Sequence, residues 1–90
     1  MNAHFKYIVV EENGMEFAIL APEGVSHDHA VNLKALSPVS AGFASVQDGR
    51  VSVQGFSTSL SLHARPEDAT IVLTTLLFMG VRGLTEASRS

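Results

Sequence analysis

The sequence has no cysteine and few charged residues, and each scarcity excludes a class of protein. A chain without thiols cannot be a disulfide-bonded scaffold, form a thiolate zinc site or use a cysteine nucleophile. Charged residues make up 17% of the chain and hydrophobic residues 46%, a composition that excludes intrinsic disorder. The net charge of −3 argues against nucleic-acid partners, whose recognition depends on cationic side chains that contact phosphates.

The sequence also lacks a long apolar segment. The longest, over residues 71–81, is interrupted by Thr74 and Thr75 and is about half of the roughly 20 residues that a membrane-spanning helix needs. We therefore expect a core helix there and no membrane partner. The first residues show no basic region followed by an apolar stretch and a cleavage site, so we expect a cytoplasmic protein.

The residues that are present fit one small folded unit. A chain of 90 residues is long enough for one hydrophobic core but not for two domains. We expect a single α+β domain over residues 1–84 and a flexible polar tail over 85–90, where periodic apolar positions are absent. A chain this short buries a modest share of its surface, and oligomerisation is the usual way to gain stability.

Two dipeptides that end in glycine predict two tight β-hairpins. Asn13-Gly14 and Asp48-Gly49 each separate runs rich in β-branched and aromatic residues, and both residues of such a turn need positive φ. The first hairpin is apolar on both faces, whereas the second is apolar on one face only. The turns also imply the register of each hairpin, with these opposed pairs: Val10 with Phe17, and Val46 with Val51.

Two segments are predicted to be helical. Ser26 is a good N-cap for a first helix, and Ser37-Pro38 would end it. A second helix should start within residues 65–68, where a proline and two carboxylates suit the first turn, and should finish near Gly80. Its last turns are apolar on nearly all sides, so this helix needs contacts beyond one sheet face.

The alternation of polar and apolar residues changes parity after Gln54. Gly55 and Phe56 should therefore hold a bulge or a break that leads into a fifth strand over residues 57–63. We expect an α+β fold in the order ββαβββα: an antiparallel sheet of four or five strands built from the two hairpins, with both helices packed on one face. The other face should meet another copy of the chain, which predicts a homo-oligomer of at least two subunits.

One set of polar residues is a candidate ligand site. Alternation would place it on one side of the last strand and at the following helix start, and its members are Ser57, Ser59, Ser61, His63 and Arg65. Hydroxyls, a guanidinium and helix amides together suit a small anion. The alternative is a solvated strand face, because Glu67 and Asp68 would oppose an anion at that helix end.

The other candidate clusters do not predict chemistry. His27-Asp28-His29 has the residue types of a metal site, with His4 and His63 as further ligands. Residues two apart on a helix point about 200° apart, so we expect neither a metal nor a cofactor. The sequence has no Gly-x-Ser-x-Gly motif, and its paired carboxylates lie at a turn or a helix start, so we expect no catalytic residue and no enzymatic activity. Phe43 is either an interface anchor or a stacking platform.

Three short segments carry a resemblance to known proteins. They are Ser-Ala-Gly-Phe at 40–43, Gly-Phe-Ser-Thr-Ser-Leu at 55–60 and Arg-Pro-Glu-Asp-Ala at 65–69. In these segments the chain resembles short uncharacterised proteins of tailed phages and prophages. The resemblance covers the second half of the chain and implies an origin in a phage or another mobile element, with no known activity and no site residue.

These observations predict a function in binding. We expect a small, non-enzymatic, oligomeric protein that binds a small anionic ligand or a host protein. The alternative is a structural or assembly component of a virion or of another oligomeric complex, which would explain two apolar sheet faces equally well.

Overall fold

The computed structural model describes residues 2–25 and 37–88. Within these ranges the chain is an α+β fold with a five-stranded sheet, a two-stranded sheet and one helix. Among the described residues, no helix is long and apolar enough to cross a membrane. The elements in chain order are β1 (Ala3–Glu12), β2 (Met15–Ala21), β3 (Ser37–Gln47), β4 (Arg50–Gln54), β5 (Phe56–Ser57), β6 (Leu62–His63), α1 (Asp68–Phe78) and β7 (Glu86–Ala87).

Both predicted hairpins are confirmed. Asn13 and Gly14 join β1 to β2 with φ angles of 55° and 81°, and Asp48 and Gly49 join β3 to β4 at 53° and 84°. Glycine takes this left-handed conformation without strain, and short Asn and Asp side chains tolerate it. The observed registers contain the pairs that the turns imply: Val10 with Phe17, and Val46 with Val51.

The strands of the main sheet lie in the order β2-β1-β3-β4-β7. The first four are antiparallel, as predicted, whereas β7 pairs with β4 in parallel. β7 lies in the segment predicted to be a flexible tail, yet Thr85 N–H donates to the carbonyl of Gly49 at 2.7 Å, and Ser88 N–H to that of Val51 at 2.7 Å. Residues 85–88 therefore extend the sheet, because backbone pairing needs no apolar side chain.

The prediction of a single fifth strand over residues 57–63 is wrong. The chain breaks at Gly55, as expected, with a φ of 83°, but β5 and β6 then pair with each other as a further hairpin. Ser57 Oγ accepts the N–H of Leu60 at 3.3 Å, a local bond that competes with extended strand pairing. The reversal lets Leu60 and Leu62 fold back onto the main sheet.

The second predicted helix is confirmed as α1, and the first lies outside the described residues. Gly80 follows α1 with a φ of 88°, and Val81 N–H donates to the carbonyl of Leu76 at 3.1 Å, a common way to end a helix. The predicted order ββαβββα matches only in part, since the described chain has two short paired strands before α1 and another after it. The buried residues of α1 are Asp68, Ala69, Val72 and Leu76.

Two hydrophobic clusters cover opposite faces of the main sheet. The larger one lies under α1, and its buried members are Tyr7, Val9, Ala18, Ala44, Val46, Val51, Val72 and Leu76. The smaller one contains Ile8, Val10 and Ala41, which are fully buried, and Leu60 and Leu62 pack against it. The face that was predicted to need another copy is thus covered partly by the β5–β6 hairpin of the same chain.

The two turn glycines allow a matched test of this fold. Both have positive φ, but a Cβ on Gly49 would lie 2.6 Å from the carbonyl oxygen of Gly83, whereas a Cβ on Gly14 would meet nothing within 4 Å. Gly14→Ala should cost about 1–2 kcal/mol of left-handed strain. Gly49→Ala should cost at least about 1 kcal/mol more because of the clash. Denaturant midpoints measure the difference, and equal midpoints would contradict the packing of residues 83–85 on this turn.

Candidate functional site

The five residues predicted to bind an anion do not share one strand face. Ser57 is buried, and its Oγ lies 3.3 Å from Ser59 Oγ. Ser61 lies in the turn between β5 and β6 with a φ of 55°, and His63 is exposed on β6. The alternation on which the prediction depended is lost because the chain reverses within this segment. Binding of an anion there stays a prediction.

Arg65, the cation of that predicted site, is engaged by carboxylates. Its Nη2 donates to Glu16 Oε1 at 2.8 Å, and its Nε donates to Asp68 Oδ1 at 2.9 Å. Glu67 Oε2 lies 3.8 Å from Nη1. The hydrogen bond to Glu16, followed by those to Asp68, raises the pKa of the guanidinium above its already high ordinary value. An anion at Arg65 would therefore have to displace or tolerate these carboxylates.

The same network reaches the core through a buried hydrogen bond that the sequence analysis missed. Tyr7 Oη donates to Asp68 Oδ2 at 2.7 Å, and neither residue is exposed to solvent. The backbone N–H of Arg65 donates to the same Oδ2 at 2.9 Å. Burial, and then the hydrogen bond to Asp68 and its charge, raise the pKa of Tyr7 well above its ordinary value. A tyrosine on an apolar strand face was the available signal, since a buried phenol needs a partner.

A different region has the shape of a binding site. A groove of about 480 Å³ lies between β2 and α1. Three of the residues that line it are strongly exposed although they are large and apolar: Met15 at 71%, Phe78 at 93% and Met79 at 66%. The remaining lining residues are Glu16, Phe17, Ala18, Thr70, Ile71, Thr74 and Thr75. The lining is largely apolar, which suits hydrophobic side chains rather than an ion.

The groove borders an edge of the main sheet. β2 is the first strand in the sheet order, and its sequence MEFAILA contains neither lysine nor proline, the residues that commonly protect edges. In a hairpin with a two-residue loop, the pair that flanks the loop is hydrogen bonded, so the backbone groups of Glu16, Ala18 and Leu20 point away from β1. Ala18 N–H accordingly meets Thr75 Oγ1, at a long 3.4 Å.

Part of this groove could be predicted from the sequence. The apolar last turns of the second helix and the two apolar faces of the first hairpin both indicated unmet contacts. Which strand would form an edge could not be read from the sequence, because sheet order depends on long-range pairing. Because β2 is first in the sheet order, its outward edge and α1 form the two sides of the groove.

The other candidate features offer less. A small cavity of about 110 Å³ is bordered by His4, Glu23, Phe43 and Gln54, and Lys6 Nζ lies 5.8 Å from the centre of the Phe43 ring. Within residues 2–25 and 37–88, no group of three histidine or acidic side chains could hold a metal ion. The His27-Asp28-His29 cluster lies outside the described residues. The role of Phe43 stays a prediction.

Comparison with protein-family models, with curated proteins and with solved structures finds no match to this chain.

Two arginines test the importance of the buried network. Arg65→Ala would remove the cation beside the fully buried Asp68 carboxylate, so we expect a loss of about 3 kcal/mol or more in the free energy of unfolding. Arg50→Ala is the matched control, because its ion pair with Glu86 is more than half exposed on both sides and should contribute at most about 1 kcal/mol. Chemical denaturation measures the loss in the free energy of unfolding for each variant. Equal losses in the two variants would contradict the importance of the network.

Tyr7 should make the fold sensitive to alkaline pH. Its pKa is raised in the folded state from an ordinary 10.0, so above about pH 10 the unfolded chain loses a proton that the folded chain keeps. The contribution of Tyr7 to the free energy of unfolding is therefore fully present below pH 10. Above pH 10 it should fall by up to about 1.4 kcal/mol for each pH unit. Tyr7→Phe should lack this component of the fall.

The chain has a single tyrosine, so tyrosinate absorbance reports this group alone. We expect the absorbance to appear together with unfolding. Its appearance near pH 10 in protein that remains folded would show that the phenol is not held as described.

Proposed function

We propose that this chain is a non-enzymatic binding protein whose ligand is another polypeptide, held in the groove between β2 and α1. The observation that carries the proposal is the exposure of Phe78, 93% of whose surface is accessible at the rim of the groove. A phenylalanine this exposed gains almost nothing from the fold of its own chain, because hydrophobic stabilisation scales with the area removed from water.

The size of the apolar patch supports a polypeptide ligand. Three large residues contribute to it, with exposures of 71% for Met15, 93% for Phe78 and 66% for Met79. With about 200 Å² for each residue, they expose roughly 450 Å² together. That value is within the range of the largest patch on a monomer, and such patches are often functional.

The sequence predicted binding of either a small anionic ligand or a host protein. The chemistry of the groove favours a protein as the ligand. Among the described residues, Glu16 is the one charged residue that lines the groove, and it is paired with Arg65. These residues therefore present little net charge to an ion. A polypeptide can fill the groove with apolar side chains and can also use the outward backbone groups of β2. A structural or assembly role would bury the same surface, and an origin in a phage stays a prediction.

Selection from a display library of random peptides tests the proposal without a known partner. The bait is the intact chain at low concentration, and the affinities of the selected peptides are measured by fluorescence anisotropy. We expect enrichment of peptides with closely spaced apolar residues. Phe78→Ser should weaken their binding about tenfold or more, because buried aromatic anchors dominate such interfaces.

Phe56→Ser is the matched control. Phe56 is also a strongly exposed phenylalanine, at 63%, but it lies on β5 and does not line the groove. Binding should be unchanged in this variant. Selected peptides that bind the Phe78 variant as tightly as they bind the unmodified chain would place the binding surface elsewhere and overturn the proposal.

A further inference from the structure

We propose that the groove is occupied by a second copy of this chain, with the two β2 strands paired antiparallel about a two-fold axis at Ala18. This inference rests on the proposed function, since it names the polypeptide that the groove holds. The result would be one continuous sheet across two subunits, with an α1 helix from each subunit beside the new strand pair.

The edge of β2 favours pairing with another strand. Among the described strands, β2 is a seven-residue edge strand without proline, lysine or a bulge in its pairing with β1, and such edges add a further strand more readily than edges that carry these features. Thr75 of α1 is the side chain that an added strand would displace. The outward backbone groups of β2 belong to Glu16, Ala18 and Leu20. The bond from Ala18 N–H to Thr75 Oγ1 is long, at 3.4 Å, so a carbonyl of an added strand would be a better acceptor for this donor.

The register of two paired β2 strands is also favourable. Two antiparallel β2 strands overlap over all seven residues only when Ala18 faces Ala18 of the partner subunit. Ala18 is also an outward-pointing residue, so this full overlap satisfies the hydrogen-bond geometry of an antiparallel pair. Phe17 then lies opposite Ile19 of the partner subunit, and Met15 opposite Ala21 of the partner subunit. Both are apolar cross-strand pairs of the kind that stabilises sheets.

The charges along β2 do not oppose this pairing. Glu16 is the only charged residue of β2, and in this register it faces Leu20 of the partner subunit instead of a second Glu16. Its carboxylate is also paired with Arg65 at 2.8 Å within its own chain. Two copies therefore meet along β2 without opposed like charges, which would destabilise a strand pair.

The area available for contact also favours a second copy. Met15, Phe78 and Met79 expose roughly 450 Å² of mostly apolar surface in each copy, and the backbone edge of β2 adds to it. Standard interfaces bury about 800 Å² on each partner, so pairing through this edge and groove approaches the size of a stable dimer. A two-fold contact uses the same surface on both copies, which closes the assembly and leaves no free β2 edge.

Mass and register can be measured separately. Light scattering or sedimentation of the intact chain over a range of concentrations should give twice the 9.6 kDa of the monomer. Phe78→Ser should weaken dimerisation about tenfold or more, whereas Phe56→Ser should leave it unchanged. A monomer at all accessible concentrations, or a dimer equally tight in both variants, would overturn the inference.

The absence of cysteine from the sequence makes disulfide cross-linking a clean test of register. In the proposed dimer, residue 17 of one subunit faces residue 19 of the other subunit. The two form a non-hydrogen-bonded pair with Cα atoms about 4.5 Å apart, within the range of a disulfide. A mixture of Phe17→Cys and Ile19→Cys chains, each first shown to be folded, should oxidise rapidly to the mixed dimer. Phe17→Cys alone should cross-link much more slowly. Equal rates would overturn the register centred on Ala18.

The outcomes for the two proposals remain distinct. If the chain is monomeric and library peptides still bind in a manner that depends on Phe78, the dimer is wrong and polypeptide binding stands, with a foreign partner as the occupant. If the chain dimerises with the predicted cross-link, both stand. If the chain is monomeric and no peptide depends on Phe78, both fall.

Discussion

The structure depends on one buried carboxylate. Asp68 opens α1 with its side chain inaccessible to solvent, and it accepts hydrogen bonds from Tyr7 Oη and from the backbone and guanidinium of Arg65. A carboxylate without these partners would be costly to bury. Tyr7 belongs to the central part of β1, and Arg65 also bonds to Glu16 on β2. Asp68 therefore fixes the start of the helix against these two strands. The position of α1 along β2, and so the groove, follows from it.

That constraint also decides what Arg65 can do. As a free guanidinium above a row of serines it would suit an anion, which was the basis of the predicted ligand site. As the cation that balances a buried Asp68 and a half-exposed Glu16 it has a structural role, and its donors are directed to carboxylates. The charged residues of this region thus stabilise the fold, and the groove beside them is lined mostly by apolar side chains.

The sequence predicted local structure well and long-range arrangement poorly, for physical reasons. Both hairpins and their registers followed from Asn13-Gly14 and Asp48-Gly49, because two residues with positive φ restrict the turn to one type. The body of α1 followed from its apolar spacing. The turn within residues 57–63 was missed because alternating serines and leucines satisfy a strand pattern, while the Ser57 Oγ bond that favours reversal leaves no periodic signal. The parallel pairing of β7 was missed because it depends on backbone groups and has no apolar pattern.

The candidate site was predictable only in its ingredients. A helix that is apolar on nearly all sides has more apolar surface than one contact can cover, and the last turns of α1 showed this pattern. The pattern does not show which strand becomes an edge. Here β2 is the edge strand beside α1, so the uncovered apolar surface of the last turns of α1 borders a groove.

The core and the groove are separable in energy. Val72 and Leu76 bury the inner face of α1 against the sheet, and they stabilise the helix whether or not the outer residues are covered. Phe78 and Met79 lie largely in water, so a serine at either position would remove little of the apolar area that is buried on folding. Folding alone therefore gives no reason for large apolar side chains at these two positions. Association would give one, because a phenylalanine and a methionine at the rim of the groove would lose most of their contact with water if a strand were added there.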